Sequence, residues 1–264
     1  MSTAMDINWF ELGLGYLLLL IPIGILWYYQ TGLVKDTIWA TVRMTVQLLL
    51  VGVYLEFLFK LNNTAINLLW VSVMIAAGTW TTISRSDLNR KIFLLPVLLG
   101  LTGSIIVVDA YFFGVVIQLN NLFEAMYLIP ITGMLLGNCI RGNVIGLNVY
   151  YSKLQKEQTP YRFALANGAT KREALVPYMQ EALKLAFNPT IASIAVVGLI
   201  SLPGMMTGQI LGGSSPMVAI KYQIMLMITI FVASIVAVVL TIVVSNSVIF
   251  DEFDMPSRKI IEQN

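Results

Sequence analysis

Few residues in this 264-residue chain could carry chemistry. The sequence contains no histidine and a single cysteine, Cys139. Catalysis that pairs Ser or Cys with His, imidazole ligation of a metal and an intrachain disulfide are therefore excluded. Cys139 stands between apolar and glycine neighbours, which favours a packed side chain over a reactive thiol. The remaining candidates are two adjacent methionines and a few polar side chains within apolar runs.

The two methionines stand in the segment S-L-P-G-M-M-T-G-Q, residues 201–209. Pro203 lacks a backbone N–H and would free the Leu199 carbonyl if this segment were helical. Broken helices at membrane depth often line a binding site. Met205 and Met206 would add two thioether ligands, which suit Cu(I) better than ferric iron; alternatively, they fill irregular packing between helices. The transport path predicted at this break comprises Pro203, Gly204, Met205, Met206 and Gln209.

Polar side chains within other apolar runs are costly in lipid and usually functional. Glu56 and Asp109 lie near the outer ends of their predicted spans, where carboxylates could release a hard cation. Arg43 and Arg141 lie near the inner boundary, and snorkelling to lipid headgroups is the alternative for both. The further candidates for the transport path are Gln47, Glu56, Asp109, Asn138 and Arg141.

The elements that position these residues must be membrane helices. Hydrophobic residues make up 58% of the chain, charged residues 11%, and the mean hydropathy is +0.81. Soluble domains carry about 25% charged residues. The bilayer must therefore be the solvent, and the net charge of +2 is too small to indicate a nucleic-acid partner.

We predict an all-α, polytopic membrane protein in which 1–264 form a single transmembrane domain of about seven spans, each needing roughly 20 apolar residues. The first apolar run is retained, because Asp6 and Glu11 rather than basic residues stand at its start. The predicted spans are 9–29, 37–59, 65–83, 92–119, 124–148, 188–211 and 219–250.

Basic residues predict the orientation of these spans. Lys and Arg are concentrated in the turn after the third span, in the segment after the fifth span and in the tail with Arg258 and Lys259. Because cytoplasmic loops are enriched in Lys and Arg, the N-terminus is expected outside and the C-terminus inside. We expect a multi-pass protein of the cell membrane.

A polar, helix-coded element interrupts the apolar chain at about 159–187, on the predicted cytoplasmic side. Thr159 with Pro160 is typical of a helix start, and Gly168 of a helix end. Thr170 and Glu173 have the spacing of a capping box, which predicts a second helix to about residue 187 with a kink at Pro177. The pattern indicates a rigid helix–Gly–helix elbow.

Phe163, Leu165 and Ala166 are apolar residues of this elbow that lie outside the bilayer. Two interpretations are open. They could pack on the ends of the chain's own spans, or they could dock into a groove on a soluble partner.

Two stretches carry a resemblance to a known family. They are V-G-L-I-S-L-P-G-M-M-T-G-Q-I-L-G-G-S-S-P at 197–216 and A-I-K-Y-Q-I-M at 219–225, with I-P-I-T-G-M at 129–134 and G-A-T at 168–170 in support. The chain resembles the FetB (YbbM-type) family of ABC transporter permeases. Membership implies a permease that works with a separate ATPase. Bacterial members are linked to iron export, and plant relatives to aluminium tolerance, with sugar-nucleotide transport proposed.

The resemblance implies that the elbow is the element that receives force from the ATPase. The loop pattern of ABC permeases is Glu-Ala-Ala, three residues and Gly; Gly168 and Ala164 match it, but Arg162 replaces the acid. It also implies an Asp and a Lys where this chain has Ala192 and Ala195, so any role of that pair does not transfer. The residues predicted to couple to the ATPase are Arg162, Phe163, Ala164, Gly168, Ala169, Thr170, Lys171, Arg172 and Glu173.

We therefore expect a non-catalytic membrane subunit of an ABC exporter, with iron as its cargo. The chain has no G-x-x-x-x-G-K-[ST] phosphate loop, so ATP and Mg²⁺ would be bound by a partner ATPase and by no site on this chain. A homodimer is expected, because about seven spans are too few for a complete ABC transporter. The alternatives are an ABC permease for another metal or a sugar nucleotide, and an ATP-independent secondary transporter.

Overall fold

The structure, a computed structural model, describes residues 7–86 and 88–256. Arg258 and Lys259, which contributed to the predicted orientation, lie outside the described residues, as does Asp6. The helices are α1 (Trp9–Leu17), α2 (Leu20–Tyr28), α3 (Val34–Leu61), α4 (Thr64–Arg85), α5 (Arg90–Tyr111), α6 (Ala125–Lys156), α7 (Gln158–Ala166), α8 (Lys171–Val196), α9 (Gly204–Leu211) and α10 (Pro216–Ile249). A π-helical turn, Phe112–Val116, extends α5.

The prediction of an all-helical, multi-pass membrane protein is confirmed. Six helical stretches of the described chain are long and apolar enough to cross a membrane, with α1 and α2 together forming one of them. The other five are α3, α4, α5 with its π-helical turn, α6 and α10.

The internal break predicted in the span 188–211 is present, although it lies on the N-terminal side of Pro203. Helix α8 ends at Val196, and α9 begins only at Gly204. Gly198 has a φ of +90°, a value that side-chain-bearing residues rarely adopt, and its N–H donates to the Ser201 carbonyl at 3.0 Å. The break therefore lies before Pro203, which is the N-cap of α9 and frees no helical carbonyl.

The core of the fold lies between α5, α6 and α10, with α4 and α8 against α6. Small residues let α5 and α10 approach closely, and the Ser104 hydroxyl donates to the Ala233 carbonyl across them at 2.6 Å. Without a hydrophobic driving force between helices in lipid, such contacts and close packing hold the bundle together.

Helices α1, α2 and α3 lie at the periphery of this core. The Tyr16 hydroxyl is hydrogen-bonded to Thr45, which joins α1 to α3, but most of the apolar side chains on these helices are exposed. Trp39 and Leu48 are examples. A large apolar exterior is expected where lipid is the solvent.

The elbow folds as two helices, with two differences from the prediction. Its first helix starts at Gln158 with Glu157 as N-cap, so Thr159 does not cap it. Glu157 alone, with φ −108° and ψ 49°, separates α6 from α7, and Pro160 occupies the third helical position, where its missing N–H is one of the donors left unpaired at a helix start.

The second helix of the elbow is much longer than predicted. Helix α8 continues through Pro177 and Pro189 to Val196, not to residue 187, because an apolar run follows the elbow without a helix-stop signal until Gly198. The turn between the helices matches the prediction. Gly168 has a φ of +88°, and Thr170 and Glu173 form the capping box.

Candidate functional site

Helix α7 carries an aromatic side chain that is exposed and does not pack against the rest of the described chain. Phe163 is 70% exposed, whereas Tyr161, two residues earlier, is 1% exposed. Ala164 and Leu165 pack against the core of the chain itself. Of the two interpretations left open by the sequence, self-packing therefore holds for Leu165, while Phe163 and Ala166 remain available to a partner.

Two exposed basic side chains lie on the same elbow. Arg162 is exposed and donates to the Gln158 side-chain oxygen at 3.1 Å, within its own helix. Arg172 is also exposed, and Gly168 and Ala169 form the turn between α7 and α8.

The C-terminal loop, residues 250–256, ties this elbow to α10. The buried Tyr161 hydroxyl donates to the Asp254 carbonyl at 2.7 Å. Lys171 lies 3.1 Å from the Asp254 carboxylate and its ammonium lies 4.2 Å from the centre of the Phe250 ring. Asp254 itself has a φ of +57°. The first residue of α8 and the middle of α7 are thus both joined to the end of the last helix.

The sequence offered no signal for this connection. Tyr161 and Asp254 are far apart in the chain, and neither belongs to a motif. Burial raises the pKa of the Tyr161 hydroxyl to about 12, so the hydroxyl remains protonated and able to donate at physiological pH.

Replacing Tyr161 with Phe should loosen the C-terminal loop while keeping the ring packed. Only the hydrogen bond to Asp254 is removed, which is worth about 1 kcal/mol. Amide hydrogen exchange in 250–256 is expected to become roughly five times faster. Tyr178→Phe is the matched control, because its hydroxyl donates to the Glu157 carbonyl, away from this loop. Equal effects of both variants on the loop would contradict the assignment.

The capping box makes the stability of the elbow depend on pH. The Thr170 backbone N–H donates to the Glu173 carboxylate at 2.8 Å, as does the Thr170 hydroxyl at 2.7 Å. These bonds favour the charged form and lower the pKa of Glu173.

The start of α8 should therefore fray at low pH. A folded-state pKa below the unfolded value contributes stability above the unfolded pKa, near 4.3, and the contribution is lost as pH falls through the folded pKa. Relative to their unprotected exchange rates, the Glu173 and Ala174 amides are expected to lose protection below pH about 4. In Glu173→Gln this pH-dependent loss should be absent, with protection lower than in the parent protein at neutral pH and similar to it at low pH; an unchanged pH profile would contradict the role.

The structure separates the two methionines predicted to bind metal. Met206 is buried and lines a cavity together with Pro203, between α8 and α10. Met205, one helical position away, is half-buried and packs against the core. Consecutive helical residues point about 100° apart, so the two sulfurs do not share one set of surroundings.

The other predicted path residues are dispersed. Glu56 is exposed and pairs with Lys60 at 2.7 Å, one turn along α3. Gln47 and Arg141 are exposed, and Asn138 donates to the Met134 carbonyl of its own helix at 2.9 Å. No group of three His, Cys, Asp or Glu residues that could hold a metal ion occurs in the part of the chain that the structure describes.

The sequence suggested that Asp109 lies near the outer surface, where it could be hydrated, but the structure buries it. It is buried between α5 and α6, and the Thr132 hydroxyl donates to its carboxylate at 2.6 Å. The π-helical turn carries α5 further before it reaches the surface, which places Asp109 among packed residues. This carboxylate therefore joins two helices rather than facing an exit.

Comparison with known proteins identifies the family. The model of the Uncharacterised protein family (UPF0014) matches residues 9–250, nearly the whole described chain. The chain belongs to the UPF0014 family. The predicted resemblance to FetB-type proteins is thereby confirmed.

Bacterial and plant relatives support this assignment. The UPF0014 chain is 32% identical to the "Probable iron export permease protein FetB" of Escherichia coli, over 81% of this chain and 82% of the relative. It is 30% identical to a UPF0014 membrane protein of Synechocystis, slr1647, over 97% and 98%. It is 33% identical to "Protein ALUMINUM SENSITIVE 3" of Arabidopsis thaliana, over 77% and 73%. No solved structure matches the chain.

Proposed function

We propose that this UPF0014 chain is the membrane subunit of an ATP-driven exporter, working as a homodimer with two cytoplasmic ATPase subunits. The observation that carries the proposal is Phe163, an aromatic side chain left exposed outside the membrane on a helix that is otherwise anchored to the bundle. Aromatic residues of this kind are typical anchors of protein interfaces. The chain lacks a phosphate loop, so the partner would bind ATP and Mg²⁺.

The contacts of the elbow give a route for force. Closure of an ATPase dimer would push α7, and Gly168 with the capping box passes the movement to α8. The bonds from Tyr161 and Lys171 to Asp254 pass it to α10 as well. Helices α8 and α10 would then tilt relative to one another, which is the kind of movement that alternating access requires.

The packing of α6 and α10 supports a seventh crossing as part of this proposal. Asn246 near the end of α10 donates to the Tyr150 hydroxyl near the end of α6 at 2.8 Å, so both helices end on the same side of the bundle. The chain must return to the opposite side between them. We propose that α8, the turn and α9 make this crossing, with the N-terminus outside and the C-terminus in the cytoplasm.

Iron is the proposed cargo, because the relative from Escherichia coli is named a probable iron export permease. Within the described ranges, no group of three His, Cys, Asp or Glu residues could hold a metal ion, so these side chains add no support for iron. Another metal or a sugar nucleotide is the alternative substrate. An ATP-independent secondary transporter is the alternative mechanism.

Purification with a native partner tests the proposal. The tagged full-length chain, extracted from its own membrane in a mild detergent, should carry a stoichiometric subunit with a phosphate loop, identified by mass spectrometry. Iron-loaded cells that lack the chain should retain iron, and ATP depletion should abolish export in cells that have it. A chain that purifies alone and transports without ATP would overturn the proposal in favour of the secondary transporter.

A further inference from the structure

A cavity of about 620 Å³ lies at the break between α8 and α9. The C-terminal half of α8, the turn at 197–203, α9 and one face of α10 line it and leave it open on one side. Cavities that bind small molecules usually measure about 300–1,000 Å³. The walls are formed by aliphatic, methionine and aromatic side chains, among them Ile191, Ile194, Met206, Met227 and Phe231.

Gln223 is the one polar side chain among the described residues that line this cavity. It is 7% exposed, and its side-chain oxygen has no hydrogen-bond partner within the described chain. An unpaired buried acceptor costs about 1–3 kcal/mol. A buried water molecule typically makes two to four hydrogen bonds, and this amide is the one polar side chain that the described lining offers it. A ligand that brings one N–H or O–H donor would satisfy this oxygen.

The side chains that line the cavity also make the binding of an ion unfavourable. None of the described residues that form the walls is charged, and transfer of an unpaired ion into apolar surroundings is strongly unfavourable. A hydrated metal ion would find one amide oxygen and two thioethers in place of its water shell. The occupant is therefore uncharged.

The surroundings of the cavity indicate where such an occupant comes from. Ile224 and Ile228 border it and are about half exposed, on α10, a helix long and apolar enough to span the bilayer. The exposed C-terminal half of α8 forms the opposite border with Ile191 and Ile194. Entry from this side is apolar throughout, which suits a molecule already dissolved in the membrane.

We propose that this cavity binds an uncharged amphiphile from the bilayer, whose hydroxyl or amide donor bonds to the Gln223 side-chain oxygen and whose hydrocarbon part packs on Met206, Met227 and Phe231. The site goes beyond the proposed exporter function and does not depend on an ATPase. Its test uses no nucleotide, so its failure and the failure of the exporter proposal are distinguishable.

A binding assay with a matched pair of probes tests the hydrogen bond. The full-length protein in nanodiscs is titrated with radiolabelled 1,2-dioctanoylglycerol and with its O-methyl ether, which lacks the donor. Gln223→Leu should weaken binding of the diacylglycerol roughly fivefold, the effect of one net hydrogen bond, and leave the affinity for the ether unchanged. Gln180→Leu is the control, because Gln180 is an exposed amide on α8 outside the cavity.

A second variant guards against misfolding of the first. Ile224→Trp places a larger side chain at the border of the cavity and should weaken the binding of both probes equally. Its melting temperature should equal that of the parent protein. Absence of saturable binding, or an equal loss of both probes in Gln223→Leu, would overturn the proposal. Disulfide-linked dimers of Ile224→Cys in a Cys139→Ser background, together with no probe binding, would also overturn it and assign the cavity to contact between two copies.

Discussion

Replacing Phe163 with Asp is expected to release the ATPase subunit and abolish ATP-driven export. Phe163 is 70% exposed in the free chain, so the proposed partner is what buries it. Removal of an aromatic anchor from an interface commonly costs about 2 kcal/mol or more, which corresponds to roughly thirtyfold weaker binding. A buried, unpaired carboxylate adds to that loss.

The amount of the variant in the membrane should stay normal, because the substitution occurs at a side chain that does not pack on the bundle. Phe253→Asp is a matched control. Phe253 is 81% exposed in the C-terminal loop, on the same side of the bundle, since its neighbour Asp254 contacts Tyr161. Co-purification of the ATPase and iron efflux are the two measurements. Full export by Phe163→Asp, or equal losses in both variants, would contradict a specific contact through α7.

Replacing Gly100 with Ala should produce the largest loss of stability in the transmembrane core. An added Cβ at this position would lie 2.1 Å from the Thr241 hydroxyl and 2.9 Å from the Thr241 backbone nitrogen. The nitrogen belongs to helix α10 and cannot rotate away, so the two helices must separate. Overpacking of this kind costs about 1–3 kcal/mol, and the backbone contact places Gly100→Ala at the upper end.

The same helix provides the control for this prediction. An added Cβ at Gly103 would lie 3.3 Å from the end of the flexible Leu240 side chain, which can move. We expect the apparent melting temperature in detergent to fall by about 5–10 °C in Gly100→Ala and by less than about 2 °C in Gly103→Ala. Similar melting temperatures for the two variants would show that α5 and α10 are less closely packed than the structure indicates.

Several features could be predicted because they depend on local rules. The elbow is an example: Gly168 ends α7 because glycine tolerates a positive φ, and Thr170 with Glu173 starts α8 through bonds between residues three apart. The N-cap was misplaced at Thr159 because the predicted signal ignored the helix that precedes it; α6 and α7 are separated by Glu157 alone.

The candidate site could be predicted only in part. Met205 and Met206 are adjacent in sequence, yet Met206 lines the cavity and Met205 packs on the core, since the direction of each side chain depends on how α9 sits against α10. The neighbours of Gln223 and Asp254 come from distant parts of the chain, and no spacing in the sequence indicates them.

The sequence by itself determined the membrane class, the helical architecture and the elbow, because apolar composition selects the solvent and capping residues act on their immediate neighbours. It also carried the family resemblance. Only the tertiary structure decided that the helix breaks at Gly198, that Thr132 donates to one oxygen of the Asp109 carboxylate, and that the C-terminal loop joins α10 to the elbow. These features are contacts between helices, and the packing of side chains over long sequence separations fixes them.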